Sequence, residues 1–418
     1  MRLLHKLIFT VLSVLPLSVA TAQDWDVVQV LPPANGFGTA SIFDINNTGT
    51  IAGTACDAPS CIGSAPIIHQ NSTSVFLDHP IQNTEAFGIN NNNTVVGYTW
   101  DAGVQANVAE KWDSNGIRSH IGQYQNFTDT YAIDVNDSGV VIGRSFDRNT
   151  NQQAAWVWEN GVFRGLAPSR ENFTCIPSAI NNSNIIVGTC RSENPFQSYA
   201  VAWLSDNTVH ELQGPAGAIF QSYAYGINNS GEIVGNLNNL NTSPSYSENG
   251  YFWSNYTAMP IMLAIPSREA NGTRFRATKS AATAINDLGN ISGTFTAIQT
   301  GGDIVRAFFW NSYNTHWNDI GIIAQRKSTL SSFYQTSRIN NCNQILLGNP
   351  YDIRENIEFV YLNPTGCVCG VNTQDANNNK IIDCMEPTAA TKPPAPVIGV
   401  KGARVFVNVA VPPPGMGY

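Results

Sequence analysis

The sequence predicts an all-β fold: a seven-bladed β-propeller of four-stranded antiparallel blades, its ring closed by the N-terminal strand. Three observations predict it. One short motif recurs seven times. A second motif, ending in an aromatic residue, follows each copy. The spacing leaves room for four short strands per repeat.

The first motif reads "AYGINNSGEIVGN" (Ala224–Asn236). Its other copies are "IFDINNTGTIAGT" (Ile42–Thr54), "AFGINNNNTVVGY" (Ala86–Tyr98), "AIDVNDSGVVIGR" (Ala132–Arg144), "SAINNSNIIVGT" (Ser178–Thr189), "ATAINDLGNISGT" (Ala282–Thr294) and "SRINNCNQILLGN" (Ser337–Asn349). The aligned Asn residues are Asn46, Asn90, Asn136, Asn181, Asn228, Asn286 and Asn340, with gaps of 44 to 58 residues. Apolar runs flank a cluster of Asn, Asp, Ser and Gly. Such residues cap their own backbone or tolerate positive φ, so each copy predicts a β-hairpin with the Asn capping its turn. A Gly stands seven residues after the Asn in six copies and predicts close backbone packing. From Asn340 to Gly348 the count is eight, so the seventh hairpin is expected to absorb one extra residue, as a bulge would.

The second motif supplies the third strand: "AEKW" (Ala109–Trp112), "AWVW" (Ala155–Trp158), "AVAW" (Ala200–Trp203), "GYFW" (Gly250–Trp253) and "AFFW" (Ala307–Trp310), with weaker "PIIH" (Pro66–His69) and "EFVY" (Glu358–Tyr361). The fixed place of Trp112, Trp158, Trp203, Trp253 and Trp310 predicts packing between blades rather than a sugar platform. Short turns follow, with Asn-Gly in "WENGVF" (Trp158–Phe163) as a hairpin signal. A fourth strand comes next, as in "VHELQG" (Val209–Gly214). Nothing after Tyr361 supplies a fourth strand for the seventh repeat, but "DWDVVQVL" (Asp24–Leu31) does, and closure hides the sheet edges. A β-solenoid needs no returning strand, and a row of sandwiches needs longer repeats.

The units "GINNSGEIVG" and "AFFW", separated by a variable stretch, resemble the HAF family of probable extracellular repeats over about residues 25–362. The family's His-Ala-Phe signature is degraded here. The resemblance implies an exported repeat protein and no common chemistry.

Residues 1–22 read as a signal peptide: Arg2 and Lys6, an apolar run Leu7–Val19, and Ala20-Thr21-Ala22 before the cleavage site. The run is short for a membrane anchor, and no transmembrane segment is expected. Without Arg2 and Lys6, 20 basic residues face 30 acidic ones. That balance argues against nucleic-acid backbones. The expectation is a secreted monomer, extracellular, periplasmic or on the cell surface.

Strand parity puts both tight turns on one face of the disc and the long, variable connections on the other. Residues 23–366 would form the propeller, with its long-loop face as the ligand face. There "IPSREANGTRFRATKS" (Ile265–Ser280) gathers Arg268, Arg274, Phe275, Arg276 and Lys279. These fit an acidic sugar, a phosphate or a partner's carboxylates; a solvated loop is the other reading. Carboxylates such as Glu85, Glu110, Glu171, Glu211 and Glu269 join no motif, and His79, His120, His210 and His316 recur near fourth strands. No G-x-S-x-G, H-E-x-x-H or P-loop occurs, so no catalytic residue is assigned.

Eight cysteines in an exported chain predict disulfides. Cys175 and Cys190 flank the fourth hairpin and can face each other. Cys56 and Cys61 close a short loop. Cys342 is expected to pair with Cys367 or Cys369, and Cys384 with the other. In segment 367–386, Asp375, Asn377, Asn379, Asp383 and Glu386, with the Ile381 carbonyl, have the ligand spacing of a calcium loop. The segment resembles dockerin and thrombospondin type 3 calcium loops, although Lys380 replaces the usual Gly. Ca2+ is the cofactor so implied; a plain Asn-rich disulfide loop is the alternative. Residues 387–397 read as a Pro-rich linker, and 398–418 resemble the first strands of a fibronectin type III-like β domain, expected to continue beyond Tyr418; a natural short tail is the other reading. The function expected is a binding or scaffold module for glycan or protein ligands. A polysaccharide hydrolase or lyase, and a spacer in a larger adhesin, are the alternatives.

Overall fold

A computed structural model describes residues 25–369, apart from 34–36, 57–62, 81–82, 194, 218–219, 241–246, 264–275, 300–301, 312–315, 321–334, 349–358, 366 and 368. Residues 1–22, 387–397 and 398–418, read from sequence as a signal peptide, a Pro-rich linker and a fibronectin-like segment, lie outside the described residues.

The chain forms seven four-stranded antiparallel sheets, arranged as the blades of a propeller. β1 (Trp25–Val30) stands apart in sequence from its sheet. Blade 1 is β2 (Thr39–Ile45), β3 (Ile51–Cys56), β4 (Ser64–Gln70) and β5 (Thr73–Phe76). Blade 2 is β6 (Thr84–Ile89), β7 (Val95–Asp101), β8 (Ala106–Trp112) and β9 (Arg118–Gly122). Blade 3 is β10 (Asp129–Val135), β11 (Val141–Asp147), β12 (Gln152–Glu159) and β13 (Val162–Gly165). Blade 4 is β14 (Thr174–Ile180), β15 (Ile186–Glu193), β16 (Phe196–Trp203) and β17 (Val209–Glu211). Blade 5 is β18 (Phe220–Ile227), β19 (Ile233–Asn239), β20 (Ser247–Trp253) and β21 (Ile261–Met262). Blade 6 is β22 (Arg276–Ile285), β23 (Ile291–Gln299), β24 (Gly302–Asn311) and β25 (His316–Asp319). Blade 7 is β26 (Gln335–Ile339), β27 (Ile345–Gly348) and β28 (Phe359–Pro364), with β1 as its outermost strand. β1 pairs with β28 from Trp25↔Pro364 to Val30↔Phe359, so the two ends of the repeat array share one sheet.

The core lies between blades. Trp112 of blade 2 is fully buried against Ala52 and Leu77 of blade 1, and its indole N–H donates to the Asp78 carbonyl at 2.6 Å. Trp203 and Trp253 repeat the contact on the Ala167 and Gln213 carbonyls, at 2.7 and 2.8 Å. Each indole thus fastens its blade to the one before, hiding a large apolar surface and satisfying its single donor. Trp25 packs edge-on against Phe309 of blade 6 at 5.3 Å, so the closing strand also joins the core.

Every blade carries a β-bulge in its first strand, just before the motif Asn. In blade 2 it brings the Glu85 carbonyl onto Gly97, where a Cβ would overlap that oxygen; Gly235 meets the Tyr223 carbonyl in the same way. This explains the closing Gly. Blade 7 departs from the expectation of an inserted residue after Asn340. Its turn has the same length as the others, Asn340 N–H to the Gln344 carbonyl, and Ile339 pairs with Ile345 as Ile45 pairs with Ile51. Leu347 therefore occupies the place of the closing Gly, opposite Thr336, and Gly348 lies one residue further on, opposite Gln335. The register shift there falls between Thr336 and Ile339.

A disulfide joins Cys175 to Cys190 across directly paired positions of β14 and β15. Another joins Cys342 to Cys369. Cys56 and Cys367 are disulfide-bonded as well, while Cys61 and Cys384 lie outside the described residues. Among the described residues, no helix is long and apolar enough to cross a membrane.

Candidate functional site

The first strands of the seven blades line an axial channel, and the tight turns build its narrow end. Each motif Asn has two jobs there. Its Oδ1 caps its own turn: Asn228 Oδ1 accepts from Ser230 N–H at 3.1 Å and Glu232 N–H at 2.9 Å. Its Nδ2 donates to the backbone carbonyl of the motif Asn in the next blade, running through Asn46, Asn90, Asn136, Asn181, Asn228, Asn286 and Asn340 and back to Asn46 at 2.9–3.1 Å. The result is a closed circle of seven hydrogen bonds.

The next residue in each turn forms a second circle. The backbone N–H of Asn47, Asn91, Asp137, Asn182, Asn229, Asp287 and Asn341 donates to the side-chain Oδ1 of its successor at 2.8–2.9 Å. Two members are carboxylates. Asp137 Oδ2 accepts from the amides of Asn91 and Asn182, and Asp287 Oδ2 from those of Asn229 and Asn341. Four of the second circle's Asn amides, those of Asn91, Asn182, Asn229 and Asn341, are thus spent on neighbours. Cys369, held by Cys342, places its Sγ 3.9 Å from Asn340 Nδ2 at this end.

The circles bound an axial cavity of about 160 Å3, also lined by Ile45, Ile89 and Asp134. Two residues before the motif Asn, the seven copies read Asp44, Gly88, Asp134, Ala179, Gly226, Ala284 and Arg338. Asp44 accepts from Ile45 N–H and, across the blade boundary, from Ile89 N–H, both at 2.9 Å. Asp134 bridges to Ile180 N–H at 3.1 Å. Arg338 Nε reaches Asp44 Oδ1 at 3.2 Å. Burial pushes the Asp44 carboxyl up to about 6, Arg338 opposes this, and Asp134 adds to it. Burial raises Asp134 also, again against Arg338.

Aromatic rings also run across the inner strands of blades 1 to 3. Phe43, Phe87, Tyr98 and Tyr131, from blades 1, 2, 2 and 3, form a chain of rings with centroids 5.2, 5.7 and 4.9 Å apart. All four are half-buried, so each keeps an open edge or face. Asn107 Nδ2 donates to Tyr131 Oη at 2.9 Å. Arg144 lies 5.6 Å over the Tyr131 ring, is exposed, and has no ion-pair partner among the described residues. Arg148 lies 5.2 Å over Trp100 and makes a two-pronged bond to Asp129, at 2.6 and 2.8 Å. Burial would push Asp129 up, but the Arg148 bonds and the Asn107 N–H hold it below its usual range. Glu85 is raised by burial, with a Tyr98 hydrogen bond opposing.

Of the basic residues singled out from sequence, Arg276 opens β22, and Lys279, exposed, brings Nζ to 3.7 Å from Glu248 Oε2. Arg268, Arg274 and Phe275 lie outside the described residues, as do Asp375, Asn377, Asn379, Ile381, Asp383 and Glu386. Among the described residues, no three His, Cys, Asp or Glu converge on a point. His120 binds the buried Glu110 at 2.7 Å, and His69 binds Ser74 at 2.9 Å. The aromatic chain was missed because its members are 11 to 44 residues apart. The signal was present in register: three and five residues before the motif Asn, and eight after it, are positions that vary between copies.

No family model matches the chain, and no curated protein matches it. Solved structures do. An oligogalacturonate lyase in complex with manganese aligns with a TM-score of 0.50 and 9% identity, over 82% of this chain and 94% of that one. The GH93 alpha-L-arabinofuranosidase of Fusarium graminearum, in complex with arabinobiose, aligns at 0.38 and 9%, over 80% and 96%. TolB of Acinetobacter baumannii aligns at 0.36 and 9%, over 78% and 79%. At such identities the likeness shows the propeller fold alone.

Proposed function

We propose that this protein is a secreted binding module that takes a glycan at the wide, long-loop end of its channel. The observation that carries the reading is the half-buried ring chain Phe43–Phe87–Tyr98–Tyr131 with the guanidinium of Arg144, without an ion-pair partner among the described residues, over its end. Aromatic faces with a few fixed polar groups are what a ring-shaped, hydroxylated ligand requires. The turn end offers less to such a ligand, because most of its Asn amides already donate to neighbouring carbonyls and carboxylates. Export agrees with six disulfide-bonded cysteines among the described residues. We place the chain with the HAF-like extracellular repeats on its motifs, and we retain the calcium loop at Asp375–Glu386, which calorimetry with Ca2+ on wild type and Asp375→Ala tests.

A glycan array probed with the full chain tests the main reading. Binding that is lost in both Tyr98→Ala and Arg144→Ala is expected. An array without hits, or hits untouched by both variants, overturns it and leaves the spacer reading. A second reading, cleavage of the bound glycan, is favoured by Glu85: a carboxyl raised by burial beside Tyr98 suits a general acid. Chromatography of array hits after incubation distinguishes it, since shortened products appear only with turnover.

A further inference from the structure

In every blade the residues five before and eight after the motif Asn pair directly across the first hairpin. In blades 1 and 5 the second member of the pair is sealed. Thr54 is buried and accepts from the Ala86 N–H of the next blade at 3.2 Å; Asn236 is fully buried, its Oδ1 included. Blades 2 and 3 differ. Their pairs are Glu85–Tyr98 and Tyr131–Arg144, and the two tyrosine rings meet edge to face at 4.9 Å. A carboxyl, two phenol rings and a guanidinium thus stand in one row across two blades. Both tyrosines are half-buried, and Arg144 is exposed.

Four charged groups act on the two phenols: Glu85, Asp129, Arg144 and Arg148. Three of them are engaged. Asp129 takes the two-pronged bond of Arg148 and the Asn107 N–H, and Arg148 also donates to the Gln105 carbonyl. Glu85 shares a hydrogen bond with Tyr98, and burial favours its protonated form. Arg144 is the exception: its guanidinium lies 5.6 Å over the Tyr131 ring with no anion beside it among the described residues. The ring it covers is itself fixed, since Asn107 Nδ2 donates to Tyr131 Oη at 2.9 Å. A guanidinium is a planar fork of N–H donors, and its best-matched partner is a carboxylate, taken through two parallel hydrogen bonds. What the row lacks is that anion, joined to a body that can lie on aromatic rings.

We propose that the glycan bound here is acidic: a uronic acid unit whose carboxylate pairs with Arg144 while its ring lies against Tyr131 and Tyr98. The inference rests on the glycan reading of the ring chain and narrows it to one class of sugar. The order of the row also sets the orientation, with the charged end of the sugar over blade 3 and a hydroxyl toward Glu85 of blade 2.

The test is calorimetry of the full chain with oligomers of glucuronate, galacturonate and mannuronate, and with their carboxyl-reduced forms, in which the same rings end in a neutral hydroxymethyl group. At least one uronate should bind about tenfold or more tighter than its reduced form, and added NaCl should narrow the gap. Arg144→Gln should weaken uronate binding by about tenfold or more and leave the reduced form as it was, because removing either partner deletes the same contact. Arg144 is exposed, so the melting temperature of the variant should match that of wild type. The reduced ligands probe the same contact with the protein unaltered, whatever the variant does. Equal binding of a uronate and its reduced form, or an equal loss of both in Arg144→Gln, overturns the uronate and leaves the glycan reading standing. Binding confined to neutral or to sulfated glycans does the same. No binding of any glycan, acidic or neutral, overturns the glycan reading and this inference with it.

Discussion

Asn340 donates its side-chain amide to the backbone carbonyl of Asn46 at 2.9 Å, across 294 residues of chain. The same side chain caps the seventh turn through Cys342 N–H and Gln344 N–H. Asn340→Ala removes a turn cap and opens the circle, leaving the Asn46 carbonyl with only its turn partner Gly49. A loss of roughly 1–3 kcal/mol in urea unfolding is expected. Asn115→Ala, in an exposed turn, is the control and should cost far less.

The closing position of the hairpin has opposite requirements in different blades. Gly97→Ala drives a methyl into the Glu85 carbonyl and should cost about 1–3 kcal/mol or more through forced backbone shifts. Leu347→Ala, at the corresponding place in blade 7, leaves a hole in a fully buried cluster and should cost about 2–5 kcal/mol. Chemical denaturation of both variants checks this. A stabilised Leu347→Ala would mean that the seventh bulge closes readily.

Asp44 gives a pH signature. Its folded carboxyl sits at about 6 against 3.8 for the free group. The folded protein therefore holds this proton more tightly than the unfolded chain. The stability so gained is complete below about 3.8 and is lost as pH rises through about 6. At roughly 1.4 kcal/mol per pH unit, the span is at most about 3 kcal/mol. Asp44→Asn keeps the shape and removes the titration. Its stability relative to wild type should rise between pH 4 and pH 7.5, measured by urea unfolding at each pH.

The Cys175–Cys190 bond spans 15 residues of chain and joins strands that are already paired. A loop of that length corresponds to roughly 3 kcal/mol of chain-entropy stabilisation. Replacing both cysteines by Ser should lower stability by up to that amount without changing the far-ultraviolet circular dichroism. Loss of the β signal at 25 °C would show instead that blade 4 needs the cross-link to form.

The blade count, the hairpins and the closing role of Asp24–Leu31 were legible because Asn, Gly and Trp recur with strand-sized intervals between them. The extra residue expected in the seventh hairpin is absent because counting to the nearest Gly ignores which residue faces Thr336, which is Leu347. The Asn circles could not be read, since a turn cap looks the same whether or not its second amide hydrogen has a neighbour. Tyr98, Tyr131 and Arg144 become neighbours only once adjacent blades are laid side by side. Asn236 differs from Thr54 by a substitution that looks neutral until the burial of its oxygen is known.

Pairing of β1 with β28 has a consequence for timing. Trp25 leaves the ribosome first, and its partner Pro364 follows 339 residues later. At about 5–20 residues per second, roughly 17–70 s separate the two. Through that interval the last blade has its outer strand but not the three inner ones, and the disc cannot close. Completion of the disc therefore cannot precede synthesis of Phe359–Pro364, and any shortening of the chain before Phe359 leaves its first strand without a partner.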